Sequence, residues 1–223
     1  MSTRGSGCKA PGAPRVGLLG GSFDPVHIGH LIIAEEARVR LGLSRVLFVP
    51  AGQPYMKAER GITPARQRLE MVQLAVESNP YFEASSIDID RSGPSYTVDT
   101  LDVLRSALPR GRELYFIIGW DGLQSLPLWR EPRRILDMCW LVAVPRPGAV
   151  QPDLKEIEEA IPGLSERVIM LDRPLLSISS TEIRERVARG TSIRYLVPDA
   201  VAKYIEKHQL YRTGKSEPPV PKS

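Results

Sequence analysis

Two histidines three residues apart, His27 and His30, follow the glycine pair Gly20 and Gly21 at the end of the apolar run 16–19. That order of residues suits a phosphate site. A strand ending in Gly-Gly can turn tightly and approach a ligand, Pro25 stiffens the loop, and imidazoles at i and i+3 on the first turn of a helix can share one face. There they join the N–H groups that a helix start leaves unpaired and the positive end of its dipole, which together attract a polyphosphate. A second candidate lies near the C-terminal end, in I-S-S-T-E-I-R at 178–184. Ser179, Ser180 and Thr181 are N-cap residues by chemistry. With Ser180 as the cap, Arg184 falls one turn into the helix, within reach of an anion at its start. Taken alone the stretch is an ordinary capped amphipathic helix; beside the first motif it reads as a second anion site.

Such groups need a scaffold to bring them together. Apolar, β-rich runs predict strands at 15–19, 45–49, 82–89, 113–118, 139–144 and 167–171. The run 139–144 could also continue a helix, but Pro145 soon after argues against that. Helix-period segments fall between the strands, at about 29–41, 97–107, 120–126, 133–137 and 153–160, and after Ser179 and Pro198. One more helix starts with Thr63 as N-cap and Pro64 at N1, carries Leu69, Val72 and Val76 inward, and stops at Asn79-Pro80. This alternation predicts an α/β fold: a single domain built on a Rossmann-like, doubly wound parallel sheet with helices on both faces. Ligands then bind at the strand C-termini, along the edge that carries the 20–30 loop, the loop after Pro50, the Gly119 turn and the Pro145 loop. Residues 1–14 and 212–223, rich in Gly, Pro and Ser, read as disordered tails around a domain at 15–211.

Composition narrows the classes. The chain has 223 residues, 42% of them apolar, and needs no disulfide or metal scaffold. Cys8 and Cys139 are its only cysteines. They form no C-x-x-C pair and fit a reducing cytoplasm. No apolar run approaches the roughly 18 residues of a membrane span, so a soluble cytoplasmic protein with no membrane partner is expected. The net charge of +4 comes from the ends: Arg4 and Lys9 at one, and Arg212, Lys215 and Lys222 against Glu217 at the other. The segment 15–211 is formally neutral, which removes the global argument for a nucleic-acid partner.

The motifs carry a family resemblance. G-G-S-F-D-P-V-H-I-G-H at 20–30, with the tetrapeptide His27-Ile28-Gly29-His30, resembles the signature of the HIGH-motif nucleotidyltransferase superfamily, and I-S-S-T-E-I-R is similar to its second, triphosphate-binding signature. The K-M-S-K-S type loop that class I aminoacyl-tRNA synthetases pair with the tetrapeptide is absent. P-S-Y-T-V-D-T-L at 94–101, F-I-I-G-W-D at 116–121 and L-P-L-W at 126–129 resemble the bacterial nicotinate-nucleotide adenylyltransferase family, over about 15–211. That resemblance implies adenylyl transfer from ATP to nicotinate mononucleotide, giving deamido-NAD and pyrophosphate in NAD biosynthesis.

It also implies roles. Phosphate charge would fall to His27, His30, Arg184 and Lys57. ATP would be bound by Gly20, Gly21, Ser22, Phe23, Ser179, Ser180 and Thr181, with Gly119 and Asp121 at the ribose and Arg146 near the triphosphate. Ser95, Tyr96 and Thr97 would cap a helix whose N–H groups receive the pyridine carboxylate, and Trp129 would stack on the ring. Plain alternatives stay open: Asp121 as a helix cap, Ser95 to Thr97 as an ordinary N-cap, Trp129 as a core residue. Where the family often reads P-P-H-K, this chain reads Pro54-Tyr55-Met56-Lys57, so a His donor is missing and more weight falls on Lys57. Mg²⁺ would be held mainly by ATP oxygens and water, since no carboxylate cage is visible. Competing readings are preference for the nicotinamide nucleotide, another HIGH-motif adenylyltransferase such as a phosphopantetheine adenylyltransferase, and a non-catalytic nucleotide-binding regulator.

Overall fold

The computed structural model describes residues 14–54, 61–109 and 111–212. Cys8, Met56, Lys57 and the two end segments, apart from Pro14 and Arg212, lie outside the described residues. Among the described residues the strands are β1 (Arg15–Gly21), β2 (Arg45–Pro50), β3 (Phe82–Ala84), β4 (Glu113–Gly119), β5 (Trp140–Val144) and β6 (Val168–Met170). They form one sheet in the order β3-β2-β1-β4-β5-β6, with every pairing parallel. The chain therefore winds outward from β1 to one edge and returns to place β4 on β1's other side. This reversal opens a crevice at the C-terminal ends of β1 and β4, where Gly20, Gly21 and Gly119 lie.

Side-chain alternation explains why both faces need covering. Val16 and Leu18 of β1 and Leu114, Phe116 and Ile118 of β4 enter one core, whereas Leu19, Tyr115 and Ile117 enter the other. The first core is closed by α4 (Thr97–Ala107), α5 (Trp120–Ser125), α6 (Pro132–Met138) and α7 (Leu154–Ala160). The second is closed by α1 (Ile28–Leu41), α2 (Ala65–Val76), α8 (Ser180–Ala188) and α9 (Asp199–Lys207). Each fully buried aliphatic side chain contributes about 1.5–3 kcal/mol relative to an exposed one, so the two-sided sheet is the main source of stability. Those buried strands hold the loops at their C-terminal ends in fixed relation.

Two expected elements differ. The helix expected to start at Pro64 begins at Ala65, and Thr63 does not cap it. Instead the Thr63 N–H donates to Asp24 Oδ2 (3.3 Å) and its carbonyl accepts from Arg68 Nε (2.8 Å). The strand expected over 82–89 ends at Ala84, and α3 (Ile87–Asp90) takes its second half. The alternating Ile-Asp-Ile-Asp pattern mimics a strand. Local bonds decide otherwise: Ser86 Oγ donates to Asp90 Oδ2 (2.5 Å), and buried Asp88 accepts from Thr100 Oγ1 (2.6 Å). Among the described residues no helix is long and apolar enough to cross a membrane.

Candidate active site

The loop between β1 and α1 is tightly built. Phe23 holds φ 48°, a left-handed conformation uncommon for an aromatic residue. Its ring is buried, tilted against Phe48 at 5.9 Å and edge-on to His30 at 4.9 Å. Phe23, expected at ATP, therefore seats His30 from the core rather than presenting its side chain to a ligand. His27 occupies the N-cap position of α1 and its ring stacks on that of His30, with centroids 3.6 Å apart and planes at 22°. The His27 backbone N–H donates to His30 Nδ1 (3.2 Å), which places the proton of a neutral His30 ring on Nε2.

His27 is only 6% exposed, and its Nδ1 is buried without a hydrogen-bond partner. A Cβ at position 29 would stand 3.0 Å from that nitrogen, so any larger residue there would press on the His27 ring. Burial, and then the positive charge of Arg146, push the His27 pKa down to about 4. Near neutral pH His27 can offer a hydrogen-bond donor but not a positive charge.

The second motif docks onto the first. Ser179, not Ser180, is the N-cap of α8, its Oγ accepting from the Glu182 N–H at 3.1 Å. Ser180 is thereby released: its Oγ donates to the Pro25 carbonyl at 2.9 Å, across 155 residues of chain. The Arg184 guanidinium donates to the Asp24 carbonyl at 2.7 Å and to Thr181 Oγ1 at 3.3 Å. Two segments far apart in sequence thus form one surface.

On the other side of the crevice, Arg146 pairs with Asp121 Oδ2 at 3.1 Å, both side chains being half-exposed. Asp121 lies inside α5 and is not its cap. A Cβ on Gly119 would stand 2.3 Å from Asp121 Oδ1 and 3.1 Å from Arg146 Nε, so with any larger residue these two half-exposed side chains would have to turn away from the strand end.

A cavity of about 470 Å³ opens at the ends of β1, β2 and β4, lined by Gly20, Gly21 and Ser22 together with Ser95, Tyr96, Thr97 and Trp129. Residues expected for ATP and for the pyridine nucleotide share its wall. Trp129 is half-buried, edge-on to Phe116 at 6.1 Å, with its Nε1 donating to Ser125 Oγ at 3.2 Å. The start of α4 carries no side-chain cap. Ser95, expected among the capping residues, instead accepts from the N–H groups of Gly52 (2.9 Å) and Gln53 (3.3 Å).

Two residues at this site escaped sequence reasoning. Arg68 on α2 is 1% exposed and donates to carbonyls of Thr63, Ser22, Ala51 and Gly52. Its signal was present: it precedes Val72 and Val76 by one and two i+4 steps on the buried face of α2, where a charge is anomalous. Asp88 lines the cavity. Burial raises its carboxyl pKa, while bonds from Thr100, Arg91 and Ser95 work against that rise. Its location in a supposed strand hid it. Lys57 lies outside the described residues. Among the described residues no group of three or more His, Cys, Asp or Glu side chains could hold a metal ion.

Comparisons place these features among known proteins. The cytidylyltransferase-like family model matches residues 18–186. A probable nicotinate-nucleotide adenylyltransferase of Dehalococcoides mccartyi is 52% identical over 197 residues, covering 88% of this chain and 97% of that protein. One of the same description from a Roseiflexus species is 53% identical over 198 residues, covering 88% and 98%. Among solved structures, Plasmodium falciparum nicotinic acid mononucleotide adenylyltransferase complexed with NaAD superposes with a TM-score of 0.72 at 18% identity, covering 89% of this chain and 97% of that one. At that identity the likeness is one of fold.

Proposed function

The chain belongs to the cytidylyltransferase-like family and, within it, to the nicotinate-nucleotide adenylyltransferases, and from that premise we propose how its own residues join the adenylyl group of ATP to nicotinate mononucleotide, releasing pyrophosphate and forming deamido-NAD. The observation that carries this reading is the docking of Ser180 and Arg184 onto the carbonyls of Pro25 and Asp24, beside the stacked histidines. It supports reading the two separate motifs as one polyphosphate site.

A phosphate oxygen of the mononucleotide attacks the α-phosphorus of ATP. The new P–O bond forms as the bond to the bridging oxygen breaks, and the electron pair leaves with pyrophosphate. The attacking oxygen is already ionised, so no base is required, which suits a His27 held neutral. What remains is to hold two anions in line and meet the charge growing on the leaving group. Arg184 supplies fixed positive charge, His30 a donor at Nε2, and His27 a second donor; backbone N–H groups where β1 ends at Gly20 and Gly21 would add to them. Lys57 is a second candidate cation. In these mechanisms one such donor is worth about 10²–10³ in turnover.

The acidic groups near this loop have other partners, which fits Mg²⁺ arriving with ATP on phosphate oxygens and water: Asp24 accepts from Tyr211 Oη (2.7 Å), and Asp121 pairs with Arg146. When bound, the ion would neutralise phosphate charge. On the acceptor side, the uncapped start of α4 suits the pyridine carboxylate, and Trp129 offers a flat face to the ring. Asp121 would accept from ribose hydroxyls through the carboxylate oxygen that does not pair with Arg146. A cytoplasmic location fits Cys139, the free cysteine among the described residues, whose buried thiol is pushed up to about 12 and is inert.

The test is the initial rate of pyrophosphate release with ATP and each mononucleotide separately. Release with nicotinate mononucleotide at least ~10-fold faster than with the nicotinamide form, about 1.4 kcal/mol of discrimination, is expected. Equal rates would remove the selectivity, and no release from either would remove the reaction.

A further inference from the structure

Beneath the cavity one guanidinium is bonded to both of the loops that line it. Arg68 Nη1 donates to the Ser22 carbonyl at 2.7 Å, within the 20–30 loop, and Nη2 donates to the carbonyls of Ala51 (2.6 Å) and Gly52 (3.2 Å) beyond β2. Its Nε donates to the Thr63 carbonyl, where α2 begins. Among the described residues no carboxylate forms an ion pair with it; the charge of Asp24 acts on it from a greater distance. Keeping a cation in a core is costly, and an apolar side chain of similar volume generally packs there at least as well. Packing alone does not account for it.

The bonds point to what does. The peptide units 51–52 and 52–53 each turn a carbonyl to Arg68 and an N–H to Ser95 Oγ, at 2.9 and 3.3 Å. Ser95 in turn donates its own N–H to the Gln53 carbonyl at 2.9 Å and borders the cavity next to Tyr96 and Thr97. At Gly52 a Cβ would lie 2.2 Å from the Asp88 carbonyl oxygen, so this loop has one tight path. We propose that Arg68 is a positioning residue that sets the spacing between the triphosphate loop and the acceptor pocket, acting through Ser22 on one side and through the 51–53 peptides and Ser95 on the other. It touches neither substrate. The proposal rests on the assignment of those two half-sites given above.

Arg68→Lys keeps the charge but replaces a planar fork by a point donor that cannot span four separate carbonyls. With the loops displaced by even about 1 Å, turnover falls on the order of 10–100-fold, the KM for nicotinate mononucleotide rises, and the amides of Gly52 and Gln53 exchange with solvent at least ~10-fold faster while those of the central strands do not. A purely structural role predicts instead faster exchange throughout, with kcat and both KM values within about twofold for the folded protein; that result would overturn the proposal. A wild-type measurement guards against a variant that does not fold. The Gly52 and Gln53 amides of the native chain must be protected, and exchange at the rate of an open loop would also overturn it. That readout needs no turnover, so failure of the reaction and failure of Arg68's role are seen separately.

Discussion

The two proposed half-sites are built on different principles. The triphosphate side joins two short motifs by directed bonds, Ser180 to the Pro25 carbonyl and Arg184 to the Asp24 carbonyl, with stacked imidazoles beside them. The acceptor side is a cavity with Leu18, Val49 and Phe116 in its wall, where Trp129 and the start of α4 supply a surface and a few N–H groups. Anions are recognised by donors aimed at fixed points, which a few consecutive residues can provide. A flat aromatic ring is recognised by shape, which only packed walls provide. The motif side should therefore fail in turnover, and the cavity side in affinity.

The largest departure is expected from His30→Ala, which should lower kcat about 10²–10³-fold while shifting the melting temperature little. A folded His30→Ala protein with near-native turnover would end the distinction at once. Acid titration probes the same loop by another route. The unfolded chain protonates His27 near its ordinary 6.5, but the folded chain does so only near 4, so the unfolded state binds more protons in that window. Stability should be full above about pH 6.5 and fall by about 3 kcal/mol as pH drops toward 4. His27→Gln should flatten that slope in urea titrations at pH 7, 5.5 and 4.5; an unchanged slope would assign it to carboxylates instead.

On the cavity side, Gly52→Ala forces a Cβ toward the Asp88 carbonyl. It should cost about 1–3 kcal/mol of stability and raise the KM for nicotinate mononucleotide more than that for ATP. An equal rise in both would mean that the 51–53 loop serves the two sides alike. The smallest effect is assigned to Trp129→Ala, about 3–10-fold in the same KM, from a stacking interaction worth about 0.5–1.5 kcal/mol. Trp129→Phe should recover most of it, and a loss mainly in kcat would move this residue to the motif side.

Legibility follows the same division. The β1–loop–α1 unit could be read because its glycines, its histidines and its helix start are consecutive, so local geometry places them before any packing is known. Ile87-Asp88-Ile89-Asp90 has the period-two pattern of a strand, but the bonds of Ser86 and of buried Asp88 turn it into a helix. Arg68 sat on an apolar helix face in plain view, yet a lone arginine is far more often a surface charge than the hub of two loops. The shift of the cap from Ser180 to Ser179 was also undecidable locally, since either serine can cap and only the nearby Pro25 carbonyl gives Ser180 another partner.

By itself the sequence determined the alternating elements, the parallel sheet they imply and the family that its two motifs mark, because periodicity and turn chemistry act over a few residues. Tertiary structure alone decided that Arg184 meets Asp24, that His27 is buried and neutral, and that Arg68 stands between the two loops. Those outcomes depend on desolvation and on carbonyls contributed by distant segments, and neither exists until the chain has folded around them.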